Sequence, residues 1–130
     1  MSFIVRVCLS TPAVLIAACI FILSDMPHPE FPDLGIVWED KIMHISAYFV
    51  FGISIILFLL ANLKNPVLRQ VIVITFIVGA VYGFSDEFHQ YFVPGRSAEI
   101  LDWCADLTGL FVSTLLIKYI KNKMIRVPAT

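Results

Sequence analysis

Residues 40–63 read DKIMHISAYFVFGISIILFLLANL. From Ile42 to Leu63 the run is almost wholly apolar and carries no charge. A hydrocarbon core about 30 Å thick needs about 20 such residues in a helix, so this stretch reads as a transmembrane helix. Three further stretches share its character, from Val5 to Leu23, from Val71 to Phe84 and from Leu101 to Tyr119. The third is short, and its helix is expected to continue through Ser85-Asp86-Glu87-Phe88-His89-Gln90 into the interface, giving spans of 5–23, 42–63, 71–90 and 101–119. The predicted fold is therefore all-α, an integral membrane bundle of four transmembrane helices formed as a single domain over residues 1–130.

Composition agrees with that reading. The chain has 130 residues, of which 59% are hydrophobic and 15% charged, with a mean hydropathy of +0.89. Soluble domains carry about 25% charged residues. No basic stripe of the kind nucleic acid requires is present, so nucleic-acid binding is excluded and membrane lipids are the expected partners. Cys8, Cys19 and Cys104 lie in or beside apolar segments and are read as small buried hydrophobes rather than a disulfide framework. Ile16-Ala17-Ala18-Cys19 loosely fits a lipoprotein processing site, but Ile20-Phe21-Ile22-Leu23 carries the apolar run past it, which argues for an uncleaved span.

The connecting segments are punctuated by proline. Met26-Pro27-His28-Pro29-Glu30-Phe31-Pro32 cannot be helical, because its prolines remove donors and fix φ. Asn62-Leu63-Lys64-Asn65-Pro66 and Val93-Pro94-Gly95-Arg96-Ser97 read as turns, with Ser97 as the expected cap of the last helix.

Charge sets the orientation. Arg6, Lys64, Arg69, Lys118, Lys121, Lys123 and Arg126 fall on one side of the predicted bundle, and only Lys41 and Arg96 on the other. The positive-inside rule then places both termini in the cytoplasm. Asp25, Glu30, Asp33, Glu39, Asp40, Asp86, Glu87, Glu99, Asp102 and Asp106 all belong to the outer half, with His28, His44 and His89. Any chemistry is thus expected at the outward face of the cytoplasmic membrane.

Ionisable residues inside a span cost about 2.5–3.5 kcal/mol each on insertion scales, which makes them functional candidates. In the second helix Asp40, His44, Tyr48 and Gly52 recur every four residues and share one stripe; the plainer reading is that Lys41 snorkels and Tyr48 only packs. In the third, Tyr82, Ser85, Asp86 and His89 share a face flanked by Glu87 and Gln90, or the run is a helix end emerging into water. In the fourth, Asp102, Asp106, Gly109 and Ser113 are aligned. Asp106 sits a full turn inside the apolar span and needs a partner, which Arg96 or Lys41 could supply, or else a proton held by burial. Gly52, Gly79, Gly83 and Gly109 would let helices approach closely. Brought together, the three stripes would form a polar pocket.

These same residues carry a family resemblance. Asp40-Lys41-x-x-His44-x-x-x-Tyr48, then Tyr82-Gly83-x-x-Asp86-Glu87-x-His89-Gln90, Pro94-Gly95-Arg96 and Asp102-x-x-x-Asp106-x-x-Gly109 resemble the VanZ-like membrane proteins, with Ser24 also fitting, over roughly residues 20–115. Asp106 departs from the pattern, which usually carries Asn there. The resemblance implies a bacterial envelope protein in a family whose founding member is associated with teicoplanin resistance.

Three functions fit the expected pocket. As an enzyme acting on a phosphorylated envelope lipid, it would use Glu87, His89, His44 and Asp86 in catalysis, and Arg96, Lys41, Tyr48, Gln90, Asp102 and Asp106 to hold substrate. A divalent metal is a candidate cofactor, with Asp40, His44, Glu87 and His89 as its ligands. The same pocket could instead bind a lipid head group or a glycopeptide without turnover, or belong to a proton-coupled carrier. A unit this small is also a candidate for homo-oligomerisation.

Overall fold

Phe3–Ser24 forms α1, Glu39–Asn62 α2, Leu68–Gln90 α3 and Ile100–Ile125 α4 in the computed structural model, which describes residues 2–27 and 38–125. Each helix contains a segment long and apolar enough to cross a membrane, and no strand occurs among the described residues. The shortest, α1, has 22 residues, and at about 1.5 Å per residue such a helix spans the hydrocarbon core. The chain is a multi-pass membrane protein.

Helix ends depart from the sequence reading where polar residues complete a turn. Asp40 and Lys41 open the helix ahead of the apolar span as expected, with Glu39 added before them, and the two carboxylates in this first turn suit the positive end of the helix dipole. Leu63 falls just outside α2 as its C-cap. The third span does run on to Gln90, and α4 extends past Tyr119 to Ile125. Pro12 lies inside α1, where a missing donor is tolerated because other groups in a membrane bundle re-satisfy the backbone. His28, Pro29, Glu30, Phe31, Pro32, Asp33 and Arg126 lie outside the described residues.

Successive helices run antiparallel. Asn62 Nδ2 at the end of α2 donates to Ser10 Oγ near the start of α1, at 2.7 Å, while Tyr82 Oη near the end of α3 donates to Ala17 O in the second half of α1, also at 2.7 Å. The end of α1, the start of α2, the end of α3 and the start of α4 therefore lie at one end of the bundle, called here the polar end. α2 touches all three other helices, while α1 and α4 do not meet among the described residues.

Lipid tails are as apolar as Leu, so these helices associate through close packing and interhelical hydrogen bonds more than through the hydrophobic effect. Tyr48, Phe51, Ile55, Ile56 and Leu59 of α2 form the core with Ile20, Val71 and Leu110. Backbone meets backbone at Gly109, where a Cβ would strike the backbone oxygen of Ile45 and lie 2.8 Å from the nitrogen of Phe49. Large apolar side chains such as Val14, Leu15, Ile77 and Phe111 are exposed on the outer faces, as lipid contact requires. Cys8, Cys19 and Cys104 also face outward. The expectation that they are buried fails because a membrane helix can turn small apolar groups to lipid at no cost.

Both described turns show their chemistry. Asn65 takes a left-handed conformation (φ 52°) between α2 and α3, which Asn tolerates better than most residues. Pro94 and Gly95 (φ 82°) occupy the centre of a turn closed by Arg96 N to Val93 O at 3.1 Å, the arrangement of a type II turn. Ser97 does not cap α4, which begins at Ile100; its hydroxyl donates to Glu99 Oε1 at 3.3 Å.

Candidate functional site

The contact of α2 with α4 at Gly109 turns two of the polar stripes to face each other. At the mouth, Lys41 Nζ lies 2.8 Å from Asp40 Oδ2 and 2.8 Å from Glu99 Oε2, and pairs with Asp102 Oδ1 as well. With only 12% of its side chain exposed, Lys41 is drawn into this cage of three carboxylates instead of snorkelling into water. The ammonium in turn holds the carboxyl of Glu99, in the loop before α4, below its ordinary pKa. A cation surrounded in this way has its donors spent.

One turn deeper, His44 Nδ1 is hydrogen-bonded to Asp106 Oδ1 at 2.8 Å, and Asp106 is fully buried. The partner of Asp106 is thus His44, and not Arg96 or Lys41. Glu87 approaches from α3. Its Oε2 accepts the backbone N–H of Glu99 at 3.1 Å, a bond that seats the loop before α4 on α3. His44, Glu87 and Asp106 each offer a ligand atom within 4.8 Å of the others. Glu87 is 6% exposed, Asp106 0% and Tyr48 1%, yet Glu87 Oε1, Asp106 Oδ2 and the Tyr48 hydroxyl have no hydrogen-bond partner. Buried polar atoms are rarely left so, because each forfeits its water for nothing.

A cavity of about 350 Å³ opens beside this cluster, lined by Ser24 of α1, by Asp40, His44 and Tyr48 of α2, by Asp86 and Gln90 of α3, and by Gly95 and Arg96. Gln90 Nε2 donates to Asp86 Oδ2 at 3.2 Å across one turn of α3. Arg96 Nη2 donates to Leu23 O at 3.3 Å, covering a carbonyl at the end of α1, while its Nε has no partner. Arg96 thus lines the cavity with one hydrogen bond made by its guanidinium, whereas Lys41 is enclosed by three carboxylates.

Among the residues singled out from the sequence, His89 goes elsewhere. Its Nε2 is 3.0 Å from Asp25 Oδ1 and its ring stacks on Phe21 with centroids 4.9 Å apart. Asp40 belongs to the Lys41 cage. The side chains with ligand atoms grouped around His44 are Glu87 and Asp106, whereas His89 falls in neither of the two groups of three found among the described residues. Ser85 is exposed and bonds to Val81 O in its own helix, so the buried face of α3 is Gly83, Asp86, Glu87 and Gln90. The stripe is turned from the Tyr82-Ser85-Asp86-His89 face because α1 takes up one flank, through Tyr82 and His89, and α4 the other. Trp103 Nε1 of α4 donates to Ala80 O of α3 at 3.0 Å.

Glu99 and Gly83 were not singled out for the site. Glu99 is an acid immediately before a helix start, a position that could have suggested a structural role; nothing in the sequence marks its backbone N–H as a donor to Glu87. Gly83 leaves the space that Asp106 fills, since a Cβ there would sit 3.0 Å from Asp106 Oδ2 and 3.2 Å from Tyr48 Cε1.

The arrangement pairs an imidazole with a buried carboxylate that orients it, the geometry of an acid–base residue and its support. A second carboxylate lies alongside, and Arg96 lines the same cavity as His44. A family model described as VanZ/LLP1 matches residues 11–122. No curated protein and no solved structure matches the chain.

Proposed function

The chain belongs to the VanZ/LLP1 family, and we propose that it is an enzyme of the cell envelope that hydrolyses a phosphorylated lipid at the polar end of its bundle. The carrying observation is the buried His44–Asp106–Glu87 cluster, with unpartnered carboxyl oxygens, which reaches through His44 a cavity that Arg96 also lines. The excess of Lys and Arg at the opposite end supports a cytoplasmic-membrane protein with both termini inside. The polar end then faces outward, where polyprenyl carriers and phospholipids reach it by lateral diffusion.

Arg96 is the phosphate anchor, since a guanidinium binds phosphate through paired N–H donors. Lys41 contributes by fixing the α2–α4 mouth. In the reaction a water oxygen bonds to phosphorus as the P–O bond to the lipid breaks. The cluster takes the water proton, and the leaving oxygen is protonated in turn. Removing a positioned acid–base group costs about 10²–10⁴-fold in rate.

The test is release of inorganic phosphate from a polyprenyl phosphate or a phosphatidate by the purified chain in lipid. His44→Ala and Glu87→Gln are expected to lower turnover by about 10²–10⁴-fold, and Arg96→Ala to raise KM. In a teicoplanin-sensitive host, with membrane levels matched, the same substitutions should abolish protection. If the wild type turns over neither lipid but binds them through Arg96, a non-catalytic lipid-binding function replaces this one.

A further inference from the structure

The polar end holds two clusters of three ligand-bearing side chains, and they differ in one respect. Asp40, Glu99 and Asp102 surround the ammonium of Lys41, so their cation is built into the chain. His44, Glu87 and Asp106 have none: among the described residues no Lys or Arg nitrogen is within 4.0 Å of either carboxylate. Two carboxylates taken out of water with one imidazole leave a charge deficit, and burial of uncompensated charge costs several kcal/mol per ion.

We propose that His44, Glu87 and Asp106 bind one divalent transition-metal ion. Both carboxylates are spare at one oxygen, and Glu87 is braced at the other by a group outside the cluster. Asp106 Oδ1 bonds His44, and Glu87 Oε2 takes the Glu99 N–H. Asp106 Oδ2 and Glu87 Oε1 are buried and have no partner. Glu87, held by the Glu99 N–H on one side and free on the other, has the arrangement of a metal ligand oriented by an outer-shell partner, while the His44 Nδ1–Asp106 Oδ1 contact brings two of the ligand atoms together and gives up its proton when both bind the ion. One nitrogen and two oxygens suit a first-row ion such as zinc or manganese. Two positive charges balance the two carboxylates with the imidazole neutral. Asp40 and His89, which lie in the Lys41 cage and against α1, take no part.

The site stands on the cluster alone and does not rest on hydrolysis of lipid. When bound, the ion would supply a Lewis acid and an acidified water beside the cavity, so a metal requirement for phosphate release would give His44, Glu87 and Asp106 the role of ligands in place of direct acid–base transfer.

The experiment is metal binding by the full chain in detergent or nanodiscs, stripped with chelator and then titrated with Zn²⁺ or Mn²⁺ alone. One equivalent is expected per chain. Glu87→Gln and Asp106→Asn should weaken it by more than about a hundredfold, beyond the roughly 10–100-fold lost with an outer-shell partner only. His89→Ala and Asp40→Asn should leave it unchanged, and helicity by circular dichroism establishes that each variant is folded. No stoichiometric binding by the folded wild type would overturn the proposal, because the cluster would then be balanced by protons. So would binding that survives Asp106→Asn, or that His89→Ala removes.

Discussion

Gly109→Ala tests the contact on which the whole site depends. A methyl group at residue 109 would meet the Ile45 carbonyl oxygen and lie 2.8 Å from Phe49 N, where ordinary contacts begin at 3.4 Å. Both obstacles are backbone, so no side chain can rotate away, and α2 and α4 must separate by roughly half an ångström or more, a gap that forfeits about a quarter of each facing dispersion contact. Overpacking of this kind costs about 1–3 kcal/mol, against a gain of roughly 1 kcal/mol from the better helix propensity of Ala. His44 and Asp106 flank the contact on the two helices, so their 2.8 Å bond should stretch as well. The assay is unfolding in mixed detergent micelles followed by tryptophan fluorescence. Gly79→Ala is the internal comparison, because the group it meets is the side chain of Leu110 and not backbone. A net loss of up to about 2 kcal/mol at 109, larger than at 79, is expected. If Gly109→Ala proves as stable as the wild type, or costs no more than Gly79→Ala, the close approach of α2 and α4 is not what holds the two stripes together.

Lys41→Met should destabilise the protein by about 2–4 kcal/mol, near the 3–5 kcal/mol for breaking a buried pair less some solvent screening at its mouth; chemical denaturation of Lys41→Met and of Lys41→Met/Asp102→Asn should show the double variant recovering part of the loss. The Lys41–Glu99 pair makes stability pH-dependent: with the carboxyl of Glu99 held below its ordinary value, its contribution is present at neutral pH and is lost as pH falls through that lowered value. Thermal scans between neutral and acid pH should therefore show a shallower acid-side decline in Glu99→Gln. Trp103→Phe removes the donor to Ala80 O and leaves a buried carbonyl to its helix partner alone, for a loss of about 1 kcal/mol in the same unfolding assay.

The four spans were legible because a membrane imposes a length and an absence of charge that composition shows directly. The i, i+4 stripes of α2 and α4 were legible too, since Asp40, His44, Tyr48 and Gly52, and likewise Asp102, Asp106, Gly109 and Ser113, keep one register along a regular helix. The stripe of α3 was harder to read. Tyr82, Asp86, Glu87, His89 and Gln90 spread over an arc of about 160°, and periodicity alone does not say which flank meets α1 and which meets α4. The structure gives Tyr82 and His89 to α1 and Glu87 to the cluster with His44.

Pairing lies beyond any local pattern. That Asp106 takes His44, that Lys41 reaches Glu99 and Asp102 beyond its neighbour Asp40, and that the backbone of Glu99 holds Glu87 all join residues 12 to 62 positions apart. The amino-acid sequence determined the membrane helices and the collection of acids and histidines at one end, because hydropathy and helical spacing act within a single segment. Only the tertiary structure decided which carboxylate has a cation and which lacks one, because that balance is set by distances of a few ångströms between helices whose separation and rotation are fixed by packing at glycine.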